Sequence, residues 1–147
     1  MFRSFRHHYG MEITARYIGG VKFEVATRGH RVVSDQPLDN GGADEGMSPP
    51  EFLLASLATC AGYYAAQYLN ARGLPTDGLQ VQVTAEKAAR PARLALFRID
   101  VSVALADSHH EAGLLRAVKT CLIHNTLLAP PQIDISVMAL SPAPAHS

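Results

Sequence analysis

A chain of 147 residues, 48 % apolar and 18 % charged, has the composition of one globular domain with a core of its own. Thirteen basic residues balance thirteen acidic ones, which argues against nucleic acid or an anionic membrane as a partner. Met1 to Gly10 carries Arg and His but no apolar h-region, so no secretory signal is read. Two distant cysteines in such a chain point to a reducing, cytoplasmic compartment.

The expected organisation is a flexible extension over 1–10, a single domain over 11–140 and a frayed, Pro/Ala-rich tail over 141–147. Glu12 to Ile18 alternates polar and apolar, Gly19-Gly20 marks a turn, and Val21 to Ala26 alternates again. Arg28-Gly29 is a second turn and Arg31 to Ser34 a third short strand, so the chain opens as an antiparallel meander. The stretch from Asp35 to Met47 is rich in Asp, Asn, Gly and Pro and reads as a loop. Its three glycines would let backbone come close to a partner chain or a substrate, or serve only a connector.

Ser48 to Gly73 is the segment around which the chain is organised. Ser48 and Glu51 make a capping-box pattern, Pro49 suits the first helical position, and Arg72-Gly73 marks the end. Between the caps, Phe52 to Ala66 is apolar or small on every face, which predicts a buried helix. It is too short, and too rich in Ser, Thr and Gly, for a membrane span. Cys60 lies in its middle.

Leu79, Val81 and Val83 alternate with polar residues as a strand, and the turn around Ala88 to Ala92 leads into a partner strand. The core face of that partner is Phe97, Ile99, Val101 and Val103. Ser108 and Glu111 repeat the capping box and start a second helix carrying Leu114, Leu115, Val118, Cys121 and Leu122. Asn125 and Pro130-Pro131 end it, and Ile133, Ile135 and Val137 alternate as a last strand. The order is βββ-α-ββ-α-β, an α+β arrangement with one cysteine in each helix.

The cysteines form no Cys-x-x-Cys pair and no Cys/His cluster has structural-zinc spacing, so no metal site is read. His124, three residues after Cys121, shares its helix face; a Cys–His nucleophile pair, two metal ligands and a plain surface histidine all fit that spacing. Acyl transfer by such a pair lacks a third orienting group. A thiol in an apolar helix is inert unless a cation stands beside it. Arg28 and Arg31 are the candidate cations, and Glu51 could orient an arginine.

The run S-P-P-E-F-L-L-A-S-L-A-T-C, preceded by S-D-Q-P-L-D-N-G-G-A-D-E-G, resembles the signature of the osmotically inducible protein C and organic hydroperoxide resistance (OsmC/Ohr) family. V-K-T-C-L-I-H-N-T-L resembles the family's second cysteine helix, and the resemblance runs from about Glu12 to Val137. It implies an intertwined homodimer with the cysteine helices central. It also implies a thiol peroxidase that reduces alkyl or lipid hydroperoxides, needs no cofactor and is recycled by an external dithiol. By resemblance, Cys60 is the reactive cysteine and Cys121 the resolving one, with Cα atoms within about 7 Å of each other. Arg28 is the arginine that stabilises the thiolate, with Arg31 as fallback, and Glu51 is its partner. In the hydroperoxide-resistance branch the glutamate stands where this chain has Pro50, so the sequence is more similar to an OsmC-like branch. A dimeric module that binds a small ligand or senses redox state, without efficient turnover, is the alternative.

Overall fold

The computed structural model describes residues 10–145. Apart from Gly10, the extension expected over 1–10 lies outside the described residues, as do the last two residues of the tail.

The chain opens with β1 (Thr14–Gly19), β2 (Lys22–Thr27) and β3 (His30–Ser34), an antiparallel sheet in the order β1-β2-β3. The expected meander forms. Gly19 and Gly20, at φ 112° and 56°, make the first turn. In the second, Thr27 pairs with His30 across Arg28 at φ 48° and Gly29 at φ 82°. A two-residue hairpin loop with both φ values positive matches the twist of its strands, and it favours Asn-Gly over an arginine at the first position.

The loop that follows is folded onto itself. The buried Asp35 carboxylate accepts from the N–H groups of Gln36 (2.8 Å), Glu45 (3.0 Å) and Ala43 (3.2 Å). A side chain at Gly42 would run into the Gln36 carbonyl, and one at Gly46 into the Val33 carbonyl. These two glycines therefore admit the chain's own backbone.

Helix α1 (Pro49–Ala71) begins where the capping residues direct it. Glu51 Oε2 accepts from the Ser48 N–H at 3.0 Å. Its end is a Schellman motif: Gly73 takes φ 63°, Leu74 N–H donates to the Leu69 carbonyl at 2.9 Å, and Gly73 N–H to the Asn70 carbonyl at 3.1 Å. The helix is not buried all round. Leu57, Ala61, Ala65 and Leu69 make one buried stripe, while Leu53 and Tyr63 remain exposed. The apolar faces of α1 exceed what one chain covers.

β4 (Gln80–Ala89) and β5 (Ala92–Ser102) form a separate antiparallel hairpin. Phe97, Ile99, Val101 and Val103 are half-buried, as the alternation predicts. α1 packs against β4, β5 and the helices that follow; the β1–β3 sheet makes no comparable packing with it.

The expected second helix is broken in two. A short turn (Ser108–His110) leads into α2 (Glu111–Val118), and α3 (Leu122–Leu128) starts afresh after Cys121. Asp107, not Ser108, caps this region, its side chain accepting from the His109 N–H at 2.8 Å. α3 also runs past Asn125, whose backbone stays helical. Leu114 joins Ala65 and Leu69 in the core, with Tyr68, Leu79, Val101 and Val118 packed around them.

The expected last strand has no pairing partner among the described residues. Ile133, Ile135 and Val137 are 76 %, 85 % and 93 % exposed. The alternating apolar segment is thus left in water in the described chain. Residues 141–145 have no secondary structure and are exposed. No helix among the described residues is long and apolar enough to cross a membrane.

Candidate functional site

The two cysteines come near each other. Cys60 lies at the middle of α1, beside the buried stripe, and is half-buried. Cys121 is 0 % exposed at the start of α3, which packs on α1, and it lies near enough to Cys60 for that thiol to influence its pKa. The break between α2 and α3 positions it. Cys121 leaves the helical region at φ −53°, ψ 126°, and its Sγ accepts from the His124 N–H at 3.4 Å as the N-cap of α3. Cysteine is not a usual capping residue, which is why the sequence read as one continuous helix.

Burial pushes the Cys121 thiol above its ordinary pKa, and the hydrogen bond with Cys60 adds to the rise. The N–H groups of His124 and Ile123 act in the opposite direction. At neutral pH Cys121 is a protonated, water-shielded thiol near a more accessible one. Such a pair suits resolution of an oxidised partner sulfur rather than first attack on a solute.

The His124 imidazole turns elsewhere: Nδ1 lies 3.2 Å from Asn125 Oδ1. The histidine meets Cys121 through its backbone only, so the spacing of these two residues reflects a cap and not a nucleophile–base pair. No group of three or more His, Cys, Asp or Glu side chains suited to a metal ion occurs among the described residues.

The remaining candidates are not gathered at Cys60 within the chain. Arg28 lies in the exposed β2–β3 turn, on the sheet that makes no packing with α1 comparable to that of β4. Arg31 is tied to Glu24 in the same sheet, Nη1 to Oε1 at 2.6 Å. Glu51 holds the Ser48 N–H. Nine residues at about 100° and 1.5 Å each place it roughly half a turn around α1 from Cys60 and about 13 Å along the axis. Its place in the cap, predicted from sequence, is what keeps it there.

Asp35, which the sequence does not single out, organises its loop. The hydrogen bond from the Glu45 N–H, with those from Gln36 and Ala43, holds its carboxyl below the ordinary carboxylate range against the opposing effect of burial. It ties together the loop that delivers the chain from β3 to the start of α1. A cavity of about 570 Å³ lies between β5 and α2, lined by Ile99, Val101, Val103, Leu105, Leu114 and Val118, with Asp107 and Glu111 at its margin.

No curated protein matches the chain by sequence. Among solved structures, it is similar to an OsmC-like protein from Mycoplasma pneumoniae, with a TM-score of 0.71 at 21 % identity, covering 84 % of this chain and 90 % of that one. It is similar to an osmotic stress and detoxification response protein from Psychrobacter arcticus 273-4, with a TM-score of 0.69 at 23 % identity over 82 % and 90 %. An organic hydroperoxide resistance protein OsmC from Legionella pneumophila gives a TM-score of 0.58 at 19 % identity over 83 % and 91 %. At these identities the likeness is one of fold. The profile of the OsmC-like proteins matches residues 41–136, from the glycine loop through both cysteines to the last apolar segment, and the chain belongs to that family.

Proposed function

We propose that this protein is a cysteine-based peroxidase that reduces organic hydroperoxides to alcohols, working as a homodimer. The observation that carries the reading is the proximity of Cys60 and the fully buried Cys121, residues far apart in sequence and brought near each other where α3 packs on α1. The Cys60 thiolate attacks the distal oxygen of R-O-O-H, the O–O bond breaks, and the alkoxide leaves as alcohol after taking a proton. Cys60 is then a sulfenic acid. Cys121 attacks it, water leaves, and a Cys60–Cys121 disulfide remains for an external dithiol to reduce. Sulfur carries both electrons, so the cycle needs no metal or organic cofactor.

In this reading the thiolate-stabilising cation is Arg28 of the partner subunit. Three features support that arrangement: the β1–β3 sheet makes little packing with α1, α1 has uncovered apolar faces, and the alternating segment after α3 has no strand partner among the described residues. Arg28 also sits in the left-handed region, where a bulky residue costs about 1–2 kcal/mol. Backbone strain of this kind collects at functional positions. Similarity to the Legionella pneumophila organic hydroperoxide resistance protein agrees with the substrate class.

The test is mass spectrometry after excess tert-butyl hydroperoxide. One intramolecular disulfide per chain is the expected product, formed in the time that tert-butanol appears. Survival of both thiols would remove the peroxidase reading. It would leave a dimeric ligand-binding or redox-sensing protein, for which the apolar cavity beside α2 and the commitment of Glu51 to the cap are the supporting observations.

A further inference from the structure

The cavity between β5 and α2 stands apart from the sulfurs, since neither cysteine lines it. Its volume of about 570 Å³ falls within the roughly 300–1,000 Å³ usual for small-molecule sites. Ile99 and Val101 of β5, with Val103 and Leu105 just beyond the strand, make one wall. Leu114 and Val118 of α2 make the other. All six are buried or half-buried, so the interior is apolar. None of the exposed apolar residues of β1, β2 or the segment after α3 lines it.

The charged groups stand only at the mouth, and they are of one sign. Asp107 and Glu111 flank it, with Ser102 and Ser108, and all four residues are exposed. No lysine, arginine or histidine lines the cavity. The two histidines of the same turn are engaged elsewhere: His110 Nδ1 lies 3.1 Å from the Tyr68 hydroxyl, and the His109 ring packs edge-on against His110. Asp107 accepts from the His109 N–H at 2.8 Å. Glu111 makes no ion pair with another described residue. The N-terminus of α2 contributes about half a positive charge here, which two carboxylates outweigh.

We propose that this cavity binds a small organic cation with an apolar body, of the alkylammonium or arylalkylammonium class. The apolar body lies between β5 and α2, and the ammonium lies at the mouth with Asp107 and Glu111. Charge decides against the other occupants. A fatty carboxylate would set a third negative charge beside two. The apolar segment around Ile133, Ile135 and Val137 brings Asp134 and no basic residue, so its charge opposes the rim. The proposal does not depend on the peroxidase reading.

The experiment uses the full-length reduced protein with octylammonium chloride as probe, followed by calorimetry and by methyl NMR. The expected result is saturable binding, with shifts at the Ile99, Val101, Leu114 and Val118 methyls. Octanol should bind about fivefold more weakly or worse, and octanoate should not saturate over the same range. Butylammonium, four methylenes shorter, should bind at least about tenfold more weakly. Glu111→Gln and Asp107→Asn should each weaken octylammonium by about two- to fivefold and leave octanol unchanged. Asparagine keeps the cap on the His109 N–H, so Asp107→Asn removes charge without removing the turn. Combining Asp107→Asn with Glu111→Lys should reverse the preference from octylammonium to octanoate.

Equal binding of octanol or octanoate by the wild type would overturn the proposal, as would a preference that the charge-reversed variant retains. Shifts confined to α1 around Leu53 and Tyr63 would place the probe elsewhere and overturn it too. So would nuclear Overhauser contacts between Leu114 or Val118 and Ile133 or Ile135 in the ligand-free protein, which would show the cavity already filled by the chain or its copy. Failure of the peroxidase reading looks different: hydroperoxide leaves both thiols intact while octylammonium still binds.

Discussion

Tyr68 of α1 lies across Gly113 of α2, and its hydroxyl reaches His110 Nδ1 at 3.1 Å. A Cβ at position 113 would meet the phenol ring, so the glycine is what allows the two helices to close over the core. Arg72 stacks on that ring, its guanidinium carbon 3.7 Å from the centroid. Gly113→Ala should therefore destabilise by about 1–3 kcal/mol through overpacking, despite alanine's better helix propensity. Tyr68→Phe, which keeps the ring and loses the hydrogen bond, should cost only about 1 kcal/mol. Urea denaturation of the two variants orders them; a neutral Gly113→Ala would show that the Tyr68 ring moves aside freely.

Arg28→Ala should slow alkylation of Cys60 and hydroperoxide reduction by at least about tenfold, equivalent to about 1.4 kcal/mol of lost stabilisation. Arg28→Lys should recover part of the rate, since a point charge does not reproduce the guanidinium fork. Arg28→Asn should lose the rate too, yet stabilise the hairpin by up to about 1 kcal/mol, because asparagine tolerates the left-handed position. Arg31→Ala should be nearly silent in rate, its guanidinium being tied to Glu24. A co-expressed mixture of Arg28→Ala and Cys60→Ser chains should contain dimers with one intact site if the arginine acts across subunits; full inactivity of that mixture would place it in the same chain.

Glu51→Ala should lower stability by about 1 kcal/mol through loss of the Ser48 cap contact. Cys60 alkylation in the folded variant should keep its wild-type rate, since the two side chains project from opposite sides of α1. Stopped-flow alkylation distinguishes this from a glutamate that orients the arginine, whose loss would slow the thiol.

Asp35 gives a pH dependence of known sign. Its carboxyl is held below the ordinary value of 3.8, chiefly by the Glu45 N–H. The stabilisation it provides is fully present above that value and is lost as pH falls through the depressed folded value. Limited proteolysis between Asp35 and Met47 should accelerate on acidification in the wild type. In Asp35→Asn the loop should be more open at neutral pH and show less further change in acid. An acid response unchanged in the variant would assign it to other carboxylates.

The dimer should be obligate, with a largely apolar interface above roughly 2,000 Å² in total. Met11, Ile13, Tyr17, Phe23, Ile133, Ile135 and Val137 are all exposed in the single chain, more apolar surface than a stable monomer leaves in water. Sedimentation at micromolar concentration should show one species of twice the chain mass. Truncation after Ala129 should abolish it or leave an aggregating monomer; a folded, stable monomer of the full chain would contradict the assembly.

What could be read from the sequence was what neighbouring residues decide among themselves. Ser48, Pro49, Glu51 and Gly73 delimit α1 because caps act within one turn, and Gly19-Gly20 and Arg28-Gly29 mark their hairpins because positive φ is a property of single residues. The alternation of β4 and β5 likewise records which side faces the core. The tertiary structure decided what depends on distant partners. Asp35 became the hub of its loop because three N–H groups converge on it, two of them from Ala43 and Glu45 across the loop. The helical period that ran through Cys121 was interrupted there, and the packing of α3 on α1 brought it near Cys60. The apolar residues of α1 and of the segment after α3 show by their pattern that they seek burial, but pattern does not say against what. The single chain leaves them exposed, because burial depends on what a surface meets in space and not on any one stretch of chain.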